Sequence, residues 1–180
     1  MGISEQRTTE RDKEGSRMKK MNRMVSAILL GAMCLVLLSA CGGTQVKDPG
    51  FDKVVANIDA ALEKSASMIA VDEDYIAGSL RMESDDYTDF CVKINAYGAN
   101  VDEYGVFRGK DEAQCKELQA AVEAYLQLRI DSWMDAYMPE EKPKVTSAEV
   151  VTKGNYVCYT ILSEADRATV EKAFEDSFAG

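Results

Sequence analysis

The 180-residue chain contains no histidine. That removes the commonest general base and the commonest metal ligand. Ser-His-Asp and Cys-His catalysis are excluded, as are His-containing zinc sites. Cysteine is scarce: Cys34, Cys41, Cys91, Cys115 and Cys158 include no CxxC pair. They are too few and too scattered for a disulfide framework or a zinc knuckle. A long apolar run is missing too. The longest uncharged apolar stretch, Met24 to Leu38, has 15 residues, short of the roughly 20 that a bilayer-spanning helix needs. Positive charge is sparse beyond residue 40, where 14 Lys/Arg face 27 Asp/Glu, a net of −13. A surface that acidic repels phosphate backbones, so nucleic acid is not an expected partner.

What is present at the start is an export signal. Residues 1–40 carry seven Lys/Arg against four Asp/Glu. Met18-Lys19-Lys20-Met21-Asn22-Arg23 reads as a basic n-region, and Met24 to Leu38 has the length of a signal h-region. Leu38-Ser39-Ala40-Cys41 reads as a lipobox, with small side chains before the cut between Ala40 and Cys41 and a thiol placed for acylation at the membrane surface. Two acyl chains on Cys41 meet the requirement for stable anchoring. Residues 1–17 lack apolar periodicity and read as a non-native or disordered extension, with translation starting at Met18 or the extension leaving with the signal peptide. Gln6 rules out myristoylation of Gly2. The organisation expected is therefore extension 1–17, signal peptide 18–40, lipidated tether 41–48, and one domain over 49–180.

In that domain, Asp48-Pro49 reads as a helix start. Phe51, Val54, Val55, Ile58, Leu62, Met68 and Ile69 then predict a helix from about Pro49 to Ala70. Asp72 to Asp89 is the most acidic stretch, with Arg81 its single cation. A calcium loop would place Asp72 and Asp74 at the first and third ligand positions, but Ile76 and Ala77 break the pattern where a ligand and a glycine are required. A solvated loop with a helical turn or two is the plainer reading. Phe90 to Tyr97 alternates as a half-buried strand, Gly98-Ala99-Asn100 is a turn, and Asp102 to Gly109 is a second strand. Asp111 to Met138 predicts the longest helix, with Leu118, Val122, Tyr125, Leu126, Ile130, Trp133, Met134 and Tyr137 as its apolar stripe and Pro139 as its stop. Ala148–Lys153 and Tyr156–Leu162 form a hairpin about Gly154-Asn155. Ser163 caps a last helix that buries Val170, Ala173, Phe174 and Phe178.

The order from Phe90 is strand, strand, helix, twice over. Tyr104 with Tyr156, and Glu112 with Glu164, match at a shift of 52 residues. The expected fold is α+β: a four-stranded antiparallel sheet in ββα-ββα order, helices packed on one face, preceded by an N-terminal helix. Alternation puts Cys91 and Cys158 on the face away from the main core, where adjacent strands would let them pair as a disulfide; three buried free thiols are the alternative.

Val150-Val151-Thr152-Lys153-Gly154-Asn155-Tyr156-Val157, with Glu103-Tyr104-Gly105-Val106-Phe107 and the ending Glu171-Lys172-Ala173-Phe174, resembles a family of small lipoproteins from Clostridia-type Gram-positive bacteria, catalogued as domain of unknown function 4358. The resemblance runs from about Phe51 to Phe178. It implies a signal peptide and lipobox ending at Cys41, and the outer leaflet of a single plasma membrane. It implies no activity and no ligand. Gly105, mid-strand where a larger side chain is expected, reads as the mark of a bulge.

The functional expectation is a membrane-anchored extracytoplasmic lipoprotein acting as a non-enzymatic module for a small ligand or an envelope protein, with no cofactor. A structural or assembly role is the alternative. A hydrolase would have to use paired carboxylates, for which Asp85 and Asp86 are the candidates.

Overall fold

The computed structural model describes residues 46–97 and 100–179. The expected lipobox, the expected signal segment and part of the expected turn at residues 98–100 lie outside the described residues.

Helix α1 (Phe51–Ala61) begins after Gly50, whose φ of 89° sets the entry of the chain. Asp48 was expected to cap this helix. It does accept the Gly50 N–H at 2.8 Å, but its carboxylate also accepts the Tyr156 hydroxyl at 2.6 Å, tying the strap before the helix to the sheet. The helix also stops nine residues early. The Ser65 hydroxyl donates to the Asp59 carbonyl at 2.9 Å and Ser67 to Lys64 at 2.8 Å, an alternative to continued helical bonding that serine readily offers. A 3-10 turn (Glu63–Ser67) follows, and Met68–Ala70 is strand β1 rather than the end of a helix.

The acidic stretch contains helix α2 (Glu73–Tyr75), a π-helical turn (Ile76–Leu80) and a 3-10 turn (Ser84–Asp86). Strands β2 (Asp89–Asn95) and β3 (Glu103–Arg108) lead to helix α3 (Glu112–Asp131). Asp111 caps α3 by accepting the Gln114 N–H at 2.9 Å. The helix ends at Asp131, seven residues before the expected stop, and the Ser132 hydroxyl takes the Leu128 carbonyl at 2.7 Å. Met134 and Tyr137, expected in the buried stripe, consequently fall outside its periodicity and are exposed. Helix α4 (Lys142–Thr146), the hairpin β4 (Glu149–Lys153) and β5 (Tyr156–Ile161), and helix α5 (Glu164–Asp176) complete the chain. Gly154 holds the hairpin turn with φ 57°.

The fold is α+β with an antiparallel sheet, but of five strands, in the order β1-β2-β3-β5-β4. The expected four-stranded sheet lacked β1, and with β1 and α4 present the succession is not a plain ββα-ββα. The helices are not on one face either. Val92, Phe107, Val157, Tyr159 and Ile161 bury one face of the sheet against Leu118, Val122 and Tyr125 of α3. Tyr104, Val106, Tyr156 and Cys158 bury the other against Val54 and Ile58 of α1 and Val170 and Phe174 of α5. The physical cause is legible in the strands. β3 and β5 are buried at every residue from Glu103 to Phe107 and from Tyr156 to Ile161, and a strand buried at both parities needs cover on both faces. Each such apolar side chain is worth about 1.5–3 kcal/mol of burial.

Two further corrections follow from register. Cys91 and Cys158 do share a face, but each pairs with Val106 of β3, which runs between them. Two strand spacings, about 9.5 Å, exceed the Cα separation a disulfide accepts. Both thiols are free, as is that of Cys115. Gly105 marks no bulge, since Val92, Gly105 and Tyr159 stand in unbroken register. A Cβ there would lie 2.1 Å from the Tyr159 ring and 2.9 Å from Val92. Glycine is required because an aromatic side chain lies across the strand.

Candidate binding groove and the carboxylate behind it

A groove of about 480 Å³ runs between the π-helical turn and α3. Leu80, Ala121, Ala124, Tyr125 and Leu128 give it apolar walls, and Ser79, Arg81, Gln127 and Asp131 give it polar ones. The wall that the turn supplies is unusual in its backbone. A π-helical turn is rare and is over-represented at functional sites. It ends at Arg81, which has φ 58°, a left-handed conformation that costs a non-glycine residue about 1–2 kcal/mol. This reversal lets Leu80 and Met82, on either side of Arg81, both bury while Arg81 itself stays exposed. On the opposite wall, Ala121, Ala124 and Leu128 follow helical spacing, and their small side chains leave the depression open. Leu128 is one of the few large apolar side chains left exposed.

Tyr125 joins the groove to the core. Its ring lines the groove, and its hydroxyl donates to both oxygens of Glu103 at 2.8 and 3.0 Å. Glu103 is 2 % exposed. It also accepts the Tyr159 hydroxyl at 2.6 Å and Nη1 of Arg129 at 3.0 Å. Arg129 donates to the Tyr125 hydroxyl as well, at 2.7 Å, and its guanidinium lies 5.7 Å from the centre of that ring. Burial pushes the Glu103 carboxyl up; Arg129 and the two tyrosines oppose that without cancelling it. Burial also raises the Tyr125 and Tyr159 hydroxyls, with Glu103 adding to the effect on each. Arg129 remains a firm cation: burial works against its charge, but Tyr125 and Glu103 more than compensate. The four groups form a closed network in which Tyr159 donates to one carboxylate oxygen, Arg129 to the other, and the single Tyr125 hydroxyl proton is shared between both. That is the arrangement of a structural buried ion pair rather than of a carboxylate waiting for a substrate. Its effect is to hold Tyr125, and with it the floor of the groove, in one position.

The sequence-based site residues fall elsewhere. Ala40 and Cys41 lie outside the described residues. Asp72 caps α2 by accepting the Tyr75 N–H at 3.0 Å, so one of its oxygens is committed to the backbone, and Asp74 is exposed on the same turn. Among the described residues no group of three or more His, Cys, Asp or Glu is placed to hold a metal ion. Of Asp85 and Asp86, Asp86 accepts the Glu83 N–H at 2.7 Å through its carboxylate, while Asp85 accepts from Gln114 at 2.8 Å through its backbone carbonyl. The structure brings a different carboxyl pair together, Glu149 on β4 and Glu171 on α5. Burial, then Glu149, raises the Glu171 carboxyl. Arg167 lies 3.4 Å from Glu149, which is 53 % exposed at the edge of the sheet rather than enclosed in a cleft.

Sequence reading had singled out Arg81 only as the lone cation of an acidic stretch, and had missed Glu103. A signal for Glu103 existed. It shares strand parity with Gly105 and Phe107, which places a carboxylate on a core-facing position, where a charge needs a partner. The partner, Arg129, lies 26 residues away on α3, and no local pattern points to it.

A family model described as Domain of unknown function (DUF4358) matches residues 60–162. That span runs from the end of α1 to just past β5. It includes every strand, both walls of the groove and the Glu103 network. No curated protein and no solved structure matches the chain.

Proposed function

The chain belongs to the DUF4358 family, and from that premise we propose that it is a lipid-anchored extracytoplasmic lipoprotein, held at the outer face of a Gram-positive plasma membrane through Cys41, whose domain binds a ligand or partner non-enzymatically through the groove beside α3. Three features support the anchor: the basic n-region from Met18, the 15-residue h-region and the small residues before Cys41. One observation carries the binding role. An apolar groove of about 480 Å³ is bounded by a π-helical turn and a left-handed arginine, and is floored by a tyrosine that a buried ion-pair network holds in place. Concave apolar sites with a few fixed polar groups are the usual form of a binding site, and backbone strain concentrates at such sites. The non-enzymatic reading is supported by the way the buried carboxylate is used: both oxygens of Glu103 are occupied by protein donors.

Labelled palmitate tests the anchor. It should enter the wild-type protein and not the Cys41→Ala variant; no incorporation into the wild type refutes the lipoprotein reading. Proximity labelling on intact cells tests the groove. An Ala124→Trp variant, which fills the groove from an exposed position, should lose specific neighbours that the wild type labels. An identical neighbour set would count against the groove as the working surface.

A further inference from the structure

The lining of the groove holds one cation, Arg81, and one anion, Asp131. Both residues are exposed. Among the described residues neither has an ion-pair partner, so they neutralise neither each other nor a neighbour. Asp131 accepts from the Gln127 side-chain amide at 2.8 Å, and an uncharged donor leaves the carboxylate's charge in place. Arg129, whose guanidinium lies over the Tyr125 ring, is committed to Glu103.

The backbone favours a ligand group of opposite sign at each charge. Asp131 is the last residue of α3, where the helix dipole is negative and adds to the carboxylate in attracting a cation. Arg81 stands at φ 58°, a conformation that glycine takes without strain. What arginine adds at that position is its guanidinium, which can hold a carboxylate through two parallel hydrogen bonds. The remaining lining is uncharged, with Leu80, Tyr125 and Leu128 as its large side chains and Ser79 and Gln127 as neutral hydrogen-bonding groups. The α3 wall runs from Ala121 to Asp131, about 15 Å of helix, which matches an extended peptide of about four residues.

We propose that the groove takes a short apolar peptide with free termini, its carboxylate on Arg81, its ammonium on Asp131 and its side chains against Leu80, Tyr125 and Leu128. The inference rests on the groove being the binding surface and adds the class of what binds there. A zwitterion answers both lining charges at once, whereas a purely cationic or anionic ligand answers one and leaves the other. An anion would in addition face the net −13 of residues 41–180.

The test uses the full chain in phosphatidylcholine nanodiscs, with empty nanodiscs subtracted, and reads binding by calorimetry. The probes are the tripeptide Leu-Ala-Leu with free termini, its N-acetyl form, its C-terminal amide, the doubly blocked form, and free leucine. The free tripeptide should bind about tenfold more tightly than either singly blocked form, the loss expected when a hydrogen bond to a charged group goes unmade. That preference should shrink as salt is raised. In Arg81→Gln the free acid and the amide should bind alike while N-acetylation still weakens; in Asp131→Asn the reverse should hold. Neither variant should lower the melting temperature, since both residues are exposed. Ala124→Trp should weaken the free tripeptide about tenfold. If the doubly blocked form binds as tightly as the free one, the groove binds by apolar contact and the zwitterion inference falls. If the two charge variants lose the same preference, or neither loses any, the assignment of the termini to Arg81 and Asp131 is wrong. If free leucine binds as tightly as the tripeptide, the ligand is an amino acid and the peptide class is wrong. If no probe binds, the inference falls, while neighbours lost in Ala124→Trp on intact cells would still uphold the groove as the working surface.

Discussion

Replacing Gly105 with alanine adds one methyl group and should be among the most damaging changes available in this domain. The new Cβ would lie 2.1 and 2.8 Å from two carbons of the Tyr159 ring and 2.9 Å from a Val92 methyl. The ring has nowhere to go. It is fully buried, stacked on Phe107 at 6.4 Å, and met edge-on by Tyr125 at 6.0 Å. Its hydroxyl is fixed to Glu103 at 2.6 Å. Overpacking a tight core costs about 1–3 kcal/mol. Displacing the ring also weakens a hydrogen bond to a buried charge, worth about 1.5–3 kcal/mol. The expected loss is about 3–5 kcal/mol out of the roughly 5–15 kcal/mol typical of a domain. With a urea slope of about 1–3 kcal/mol/M, the unfolding midpoint should fall by about 2 M. The control is Tyr159→Leu, which removes the obstructing ring; in that background Gly105→Ala should cost less than about 1.5 kcal/mol, a coupling that a double-mutant cycle isolates. A Gly105→Ala loss under about 1 kcal/mol, or an equal loss in both backgrounds, would refute the claim that ring-on-strand packing demands glycine here.

Three further outcomes are expected. Glu103 faces Tyr125 and Arg129 from α3 and Tyr159 from β5, and its carboxyl is raised chiefly by burial. A raised carboxyl favours the folded state most below the ordinary glutamate range, about 4.3, and that contribution is lost as pH climbs through the raised native value. Urea midpoints measured across this window should therefore show a downward slope from this group that Glu103→Gln removes; a wild type and variant that track each other in parallel would argue against it. In the native protein the thiols of Cys91, Cys115 and Cys158 should react slowly with alkylating reagent, Cys158 slowest, because burial raises all three. All three should alkylate without reductant once the protein is denatured, and a mass showing a missing pair would restore the Cys91–Cys158 bridge. Asp111→Ala removes the cap on α3 and should cost about 1 kcal/mol in a chemical melt, with an effect near zero contradicting the capping geometry.

Local signals carried much of the fold. The alternation of Phe90, Val92 and Ile94, the Gly154-Asn155 turn, the start of the long helix at Asp111 and the Ser163 cap each depend on neighbours a few residues apart, and each stands in the structure at or near its expected place. The errors lie where a local pattern met a distant partner. Met68 and Ile69 continue a helical spacing, yet they form β1 because β2 offers them an edge to pair with. Met134 and Tyr137 extend the α3 stripe on paper, but the helix ends at Asp131 and leaves them in solvent. Cys91 and Cys158 share a face as parity requires, and strand order alone places β3 between them.

The same division holds for function. Sequence by itself determined the charge reversal at residue 40, the uncharged run that ends just before Cys41, the absence of histidine chemistry and the acidic character of residues 41–180. These are properties of composition and of segments read in one dimension. Tertiary structure decided that both sheet faces are covered, that Glu103 finds Arg129 across 26 residues, and that the acidic stretch around Arg81 becomes one wall of a groove against α3. The reason is physical. A groove and a buried ion pair are made by surfaces that meet only after the chain closes long loops, and their chemistry belongs to the meeting rather than to either strand of sequence.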